Sequence, residues 1–423
     1  MAALTCAAAF WPACAYLALG AAAALLALVA ADVGLGPRAQ DVTVSRKPLG
    51  HLALGCPAVI GYTIANRSGT ALRYSIVDTP VDFVQLRGET HCGRVGANRR
   101  KDEELSVTPI ERGLADFGPI YVTLENRIGL LRRRRVYPAA DCARVFPDLS
   151  LVERYGMLAR SGRLLEAGFR KLRLRGGGGE FDSLREWTPD DAFGSVDWKA
   201  TARRAKLMVA TYDVERSQTV LLVLDAGRLM MPRIGPQRKF DYALTAALSV
   251  AALAGQADDK VGLTAFAAKI VEHVPPRSGA RHASALVRRM YGLQPRFEEA
   301  DYAGAFNFLR RSQAKRSLVV FFSDMFDPVA AATILAHAGL LARRHLVMCV
   351  LLNDEAIDDA LSQEPRSALE AYRAGVAAGL QAERAKAVAM LNQRGILVVD
   401  VPASRLTMAL INAYVDVKSR GLL

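Results

Sequence analysis

The chain has 423 residues, 51% of them hydrophobic and 23% charged. That length suggests two or three domains, and that composition excludes a disordered chain and a small disulfide scaffold. The formal charge of +13 is spread thinly, at +4 (17 − 13) over residues 32–150, +3 (13 − 10) over 151–218 and +6 (25 − 19) over the rest, so no segment is a basic block and no nucleic-acid partner is expected.

Between Ala2 and Ala31 no side chain is charged. Ala13 to Ala31 would span about 28 Å as a helix, enough to cross a hydrocarbon core. Pro12 suits the first turn of that helix, where a missing N–H costs little. A secretory signal peptide competes, with Ala30 and Ala31 as a cleavage site, but its positive n-region is missing. The reading adopted is a retained anchor over residues 1–38, flank included. Arg38, Arg46 and Lys47 follow it, and the positive-inside rule then places the C-terminal bulk in the cytoplasm. The expected localisation is the cytoplasmic (inner) membrane, single-pass, with lipid contact through the anchor.

The six cysteines, at positions 6, 14, 56, 92, 142 and 349, form no CxxC pair. They are expected as free thiols in cores, in a reduced compartment. His91-Cys92 has no partner at zinc-site spacing.

Residues 39–148 read as a small β-sandwich. Ala58 to Ile64, Leu72 to Val77, Val81 to Leu86 and Pro119 to Leu124 are strands, with turn residues such as Asn66-Arg67-Ser68-Gly69 between them. The run Arg132-Arg133-Arg134-Arg135 reads as a solvated strand end; an anionic-lipid contact is the sharper alternative. Residues 149–216 form a helical linker and a signature region. Leu151 to Leu174 has helical periodicity, and Gly176 to Gly179 reads as a flexible joint rather than a phosphate loop, because no Gly-Lys-Ser/Thr follows.

Residues 217–423 alternate between strand and helix. Val220 to Asp225 and Ser317 to Asp324 are apolar strands ending in acids. Lys260 to Phe266 and Lys269 to Val274 are two strands joined by a short turn. His345 to Leu352 and Ile396 to Val401 are further strands. Helices are expected over Phe240–Ala254, His282–Tyr291, Tyr302–Arg311, Val329–Arg343 and Leu406–Lys418, and Ser367 to Gln393 is a long amphipathic stretch. Continuous apolar strands between helices indicate an α/β doubly wound sheet. Ligands of such sheets sit at the C-terminal strand ends, where Asp225 and Asp324 fall.

The acid-ended strands and the Asp301 segment resemble a von Willebrand factor type A domain. More specifically, the stretch from Glu180 to Trp187, with Arg185, then Asp190-Asp191 and the run Val196-Asp197-Trp198-Lys199-Ala200-Thr201-Ala202-Arg203, resembles the family called "domain of unknown function 58". Arg127-Ile128-Gly129-Leu130-Leu131 and Ala409 to Tyr414 also match it. The resemblance implies a membrane-anchored protein working with a MoxR-type AAA+ ATPase in the assembly, maturation or metal insertion of another complex. It further implies two adjacent N-terminal spans, so that Leu4 to Phe10 looks like the remnant of an earlier one.

A metal-ion-dependent adhesion site of the type A fold needs Asp-x-Ser-x-Ser, a later Thr and a later Asp, whose oxygens suit Mg²⁺. Asp225 and Asp324 match. Gly227 and Leu229 replace the serines, and Ala300 stands at the threonine position beside Asp301, a substitute ligand at best. The site is degenerate and no cofactor is expected, weak Mg²⁺ binding being disfavoured. Asp225 and Asp324 would otherwise cap the turns that follow them. In the signature region, Trp187 and Trp198 either cover a sheet edge, with Asp190, Asp191 and Asp197 paired to Arg203, Arg204 and Lys206, or form a docking surface with Lys199 and Arg203.

The function expected is a non-enzymatic, membrane-tethered interaction module. Two alternatives stand beside it. One is a metal-dependent phosphodiesterase or nuclease using Asp225, Asp301, Asp324 and Asp327. The other is a structural, self-associating envelope component using edge strands. A serine-hydrolase elbow is missing from the sequence.

Overall fold

The computed structural model describes residues 12–35, 38, 40–78, 84–86, 91–125, 129–161, 181–188, 196–212, 218–324 and 328–422. The chain divides into two compact units, Met1–Phe146 and Pro147–Leu423.

The first unit begins with helix α1 (Pro12–Leu35). Alanine and leucine favour the helix, and Pro12 sits at its first position. Its stretch Tyr16–Gly34 has a mean hydropathy of 2.1 and is long and apolar enough to cross a membrane. Leu17, Leu19 and Leu26 lie exposed on its surface. At its far end the Asp32 carboxylate is buried and accepts the backbone N–H groups of Leu130 and Leu131 at 3.2 and 3.0 Å.

Among the described residues eleven strands follow: β1 (Val42–Arg46), β2 (Leu52–Ala53), β3 (Ala58–Asn66), β4 (Leu72–Asp78), β5 (Val84–Leu86), β6 (His91–Val95), β7 (Arg99–Pro109), β8 (Gly113–Phe117), β9 (Ile120–Glu125), β10 (Arg132–Tyr137) and β11 (Asp141–Phe146). They pair in the orders β1-β3-β7-β5, β10-β9-β4-β6 and β2-β11-β8. Alternate residues, such as Ile60, Tyr62 and Ile64 of β3 and Leu72, Tyr74 and Ile76 of β4, meet in one core, which is the period of two that a half-buried strand imposes. A buried ion pair joins two of the sheets, with Arg46 bonded to Asp78 at 2.6 Å and the Tyr62 hydroxyl bonded to the same carboxylate. The four arginines expected at a strand end are themselves a strand, β10, paired along its length with β9. An edge strand whose neighbour supplies the ladder needs no apolar alternation of its own. The cysteines also depart from expectation: Cys349 is buried, but Cys56 is half-buried and Cys92 and Cys142 are exposed.

In the second unit, helix α2 (Ser150–Ser161) opens the chain; the rest of the helix expected to Leu174, and the glycine run, lie outside the described residues. Strands β12 (Phe181–Glu186) and β13 (Met208–Tyr212) pair antiparallel, with helix α3 (Trp198–Arg204) between them in sequence. Then come β14 (Thr219–Asp225), the short hairpin β15 (Arg233–Ile234) and β16 (Gln237–Arg238), α4 (Lys239–Gln256), β17 (Lys260–Phe266), β18 (Ile270–Arg277), α5 (Ala280–Met290), α6 (Tyr302–Ser312), β19 (Leu318–Ser323), α7 (Pro328–Ala342), β20 (Leu346–Asn353), α8 (Glu355–Ser362), α9 (Ala368–Gln393), β21 (Leu397–Pro402) and α10 (Leu406–Ser419). The main sheet runs β18-β17-β14-β19-β20-β21. All its pairs are parallel except β17 with β18. Val220, Leu222 and Leu224 of β14 pack toward α4 and α10, whereas Leu221 and Val223 pack toward α6 and α7. Helices therefore cover both faces, which explains the unbroken apolar runs of the central strands.

Candidate functional site

Strands β14 and β19 lie side by side and in register, Leu224 opposite Phe322. Their C-terminal ends therefore bring Asp225, Ser323 and Asp324 together, all buried. One Asp225 oxygen, Oδ1, accepts the Gly227 N–H at 2.7 Å and closes the turn after the strand. The other, Oδ2, accepts the Tyr302 hydroxyl at 2.8 Å and the Ser323 hydroxyl at 3.0 Å. Tyr302 reaches this point from the first turn of α6. Burial pushes the Asp225 carboxyl above the usual carboxylate range, against the pull of these donors. Burial likewise raises the Tyr302 hydroxyl, with the Asp225 charge adding to the effect.

Asp324 is met by a cation from the chain itself. The Lys239 ammonium lies 2.5 Å from Asp324 Oδ2, with side chains 11% and 4% exposed. Lys239 directly follows the β15–β16 hairpin, and its backbone N–H bonds Pro232 O at 2.9 Å. Asp241 fixes the helix start, its carboxylate accepting the Arg238 N–H at 3.0 Å.

A steric limit applies at Gly227, one of the positions read as degenerate. A Cβ on Gly227 would stand 3.0 Å from both the Ala300 Cβ and Asp225 Oδ1, and 3.1 Å from Glu298 O, so a serine fits only if the neighbours shift. Leu229 packs against the apolar cluster that holds Phe306 and Phe321, as does Ala300. Asp301 is exposed and caps α6, its Oδ1 accepting the Gly304 N–H at 2.9 Å. Asp327 lies outside the described residues. The donor set does not fit a type A Mg²⁺ site: the two serine positions and the threonine position carry no hydroxyl, and an ammonium already faces Asp324. Among the described residues, no group of three or more His, Cys, Asp or Glu side chains is placed to hold a metal ion.

Sequence reasoning missed Lys239 and Tyr302. Lysine in the first turn of a helix is a signal of its own, because the dipole disfavours a cation there. Tyr302 stood next to the more conspicuous Asp301.

The signature region is a separate feature. Asp197 caps α3, its Oδ1 accepting the Lys199 and Ala200 N–H groups at 2.9 Å each. The expected pairing of Asp197 with arginine gives way to this cap, and Lys206 pairs with Glu186 at 2.6 Å instead. Thr201 Oγ1 accepts the Met208 N–H at 3.0 Å and Asp197 N bonds Met208 O at 2.9 Å, tying the helix to β13. Trp187 is half-buried, Trp198 is 58% exposed, and Arg185, Lys199 and Arg203 are exposed. Asp190 and Asp191 lie outside the described residues.

Residues 183–386, from β12 into α9, match the model of the family described as "Protein of unknown function DUF58". The match covers a little under half of the chain. The resemblance seen in the signature residues therefore holds for this stretch. The matched stretch contains both Asp225 and Asp324, and β21 and α10 follow it. An uncharacterized protein of Mycobacterium tuberculosis (strain ATCC 25618 / H37Rv) is 24% identical over 265 residues, 59% of this chain and 83% of the relative. An uncharacterized protein of Mycobacterium bovis is similar to the same extent. The uncharacterized protein YeaD of Bacillus subtilis is 40% identical over 43 residues, 10% of this chain and 11% of YeaD. Among solved structures, a PapD-like domain of human CEP192 covers 26% of this chain and 87% of its own, at 8% identity and a TM-score of 0.21. A protein of unknown function from Porphyromonas gingivalis W83 covers 26% of this chain and 49% of its own, at 17% identity and a TM-score of 0.21.

Proposed function

We propose that this chain is a membrane-tethered, non-enzymatic interaction module with its C-terminal bulk in the cytoplasm. The observation that carries the reading is the Lys239–Asp324 ion pair. Acids that would hold a metal for hydrolysis are satisfied by the chain's own ammonium and hydroxyls, so the strand ends form a closed, pre-organised surface. The strand order, with two neighbouring parallel strands ending in buried acids, supports a von Willebrand factor type A-like domain whose adhesion site has lost its cation. Helix α1 supports the tether, and the basic residues after it support the orientation.

The partner follows from the family resemblance: a MoxR-type AAA+ ATPase acting on a client complex. Trp198 on the capped helix α3, beside Lys199 and Arg203, offers the aromatic and cationic side chains that anchor interfaces. Affinity capture of the full chain from native membranes tests this. The ATPase is expected with the wild type and depleted with Trp198→Ala; repeated capture without any AAA+ ATPase, under conditions that keep native complexes, sinks the proposal. Calorimetric titration with Mg²⁺ or Mn²⁺ tests the closed site. No binding heat is expected, whereas tight binding lost in Asp225→Ala would favour the metal-dependent phosphodiesterase.

A further inference from the structure

The solvent face of the sheet β10-β9-β4-β6 carries charge in an ordered way. Register places Arg132 opposite Glu125, Glu125 opposite Arg73, and Arg73 opposite Arg94, one row across all four strands. Arg134 stands in the next outward row, opposite Thr123. Arg73, Arg94, Arg132 and Arg134 are exposed. Glu125 bonds Arg132 at 2.6 Å and is the one acid in these two rows, so the face carries +3 (4 − 1). Arg73 directly opposite Arg94 is a like-charge cross-strand pair, which costs stability in the free protein.

The position of this row is set by the anchor. Asp32, in the last turns of α1, accepts the N–H groups of Leu130 and Leu131, the two residues immediately before Arg132. The basic row is thus at the sheet end that adjoins the C-terminal end of the apolar helix. Leu130, 45% exposed, sits at the same end. The opposite end of the face is neutral, with Val136, Tyr121 and Val77.

We infer that this arginine row binds the anionic phospholipid headgroups of the membrane that α1 crosses. The inference rests on the membrane reading of α1. It would relieve the Arg73–Arg94 repulsion, because anionic phosphates supply countercharge on the open side of the face. Each basic side chain held near an anionic leaflet favours the bound state about fivefold. The face would therefore be pressed to the bilayer rather than carried above it.

The full chain is reconstituted into phosphatidylcholine vesicles with and without phosphatidylglycerol. Flotation on the neutral vesicles reads the anchor. Hydrogen exchange in Leu72–Asp78 and Arg132–Tyr137 reads the face. Several-fold slower exchange in the anionic vesicles is expected, reversed by high salt and missing in the Arg73→Gln, Arg94→Gln, Arg132→Gln, Arg134→Gln variant. Wild-type exchange that is equal in the two lipids overturns the inference while leaving the anchor standing. Failure to float overturns the anchor and the inference with it. Slowing by free inorganic phosphate in neutral vesicles, to the same degree, overturns the headgroup assignment in favour of a soluble anion.

Discussion

Lys239 Nζ and Asp324 Oδ2 are 2.5 Å apart, although their residues are separated by 85 positions. The pair joins the first turn of α4 to the end of β19. Removing one member of a buried pair leaves an uncompensated charge, so Lys239→Met should cost about 3–5 kcal/mol. Removing both, in Lys239→Met with Asp324→Leu, should recover most of that loss. Urea unfolding of the three proteins measures it. An unchanged midpoint for Lys239→Met would contradict the pairing.

The Asp225 carboxyl supplies a pH signature. Its pKa is raised in the folded state, so the folded chain holds that proton more tightly than the unfolded chain does. The contribution is fully present below the unfolded pKa and is lost as pH rises through the folded one. Asp225→Asn lacks this loss. The stability of the wild type relative to Asp225→Asn should therefore fall between the ordinary carboxylate range and the raised value, then level off. Tyr302→Phe deletes a donor to the carboxylate. At neutral pH it should cost about 1.5–3 kcal/mol and extend the falling window upward. Denaturant titrations across the acid range test both.

Asp259 holds the C-terminal helix in a similar way. It is fully buried and accepts Tyr414 Oη at 2.5 Å, Gln218 N at 3.1 Å and, as an ion pair, Lys418 Nζ at 2.7 Å. Asp259→Ala strands the buried Lys418 ammonium and should cost about 3–5 kcal/mol. Tyr414→Phe removes one charge-assisted bond and should cost about 1.5–3 kcal/mol. Amide exchange along α10 should accelerate in the same order.

Thiol chemistry separates the cysteines. Burial pushes the Cys349 thiol up to about 12, which leaves little of the reactive thiolate at neutral pH. Cys92 and Cys142 are exposed. Maleimide should label these two in the native protein and reach Cys349 on unfolding, as peptide mass mapping would show. Native labelling of Cys349 would contradict its place in the core.

The main sheet was legible because strands buried on two faces must be apolar throughout. Val220–Leu224 and Leu318–Phe322 are such runs, and each is followed within two residues by an acid at the C-terminal strand end, Asp225 and Asp324. The ion pair was not legible. Which side chain meets Asp324 depends on how the β15–β16 hairpin aims α4, and a two-residue hairpin leaves almost no periodic trace. The strand β10 was hidden for a different reason: its ladder comes from β9, so four arginines can occupy it without any apolar alternation. Asp197 was read as an ion-pair partner because arginines are near it in sequence, yet the open N–H groups of α3 are nearer in space.

The space that Ala300 leaves beside Gly227 has a consequence for how this sequence can change. A serine at 227 meets Ala300 and the Glu298 carbonyl before it can offer its hydroxyl to a metal. Lys239 would still occupy the carboxylate even if that clash were relieved. A hydroxyl introduced at 227 alone therefore does not complete a set of oxygen ligands around Asp225 and Asp324. The loop at Ala300 and the lysine on α4 both stand between that hydroxyl and a metal-binding arrangement.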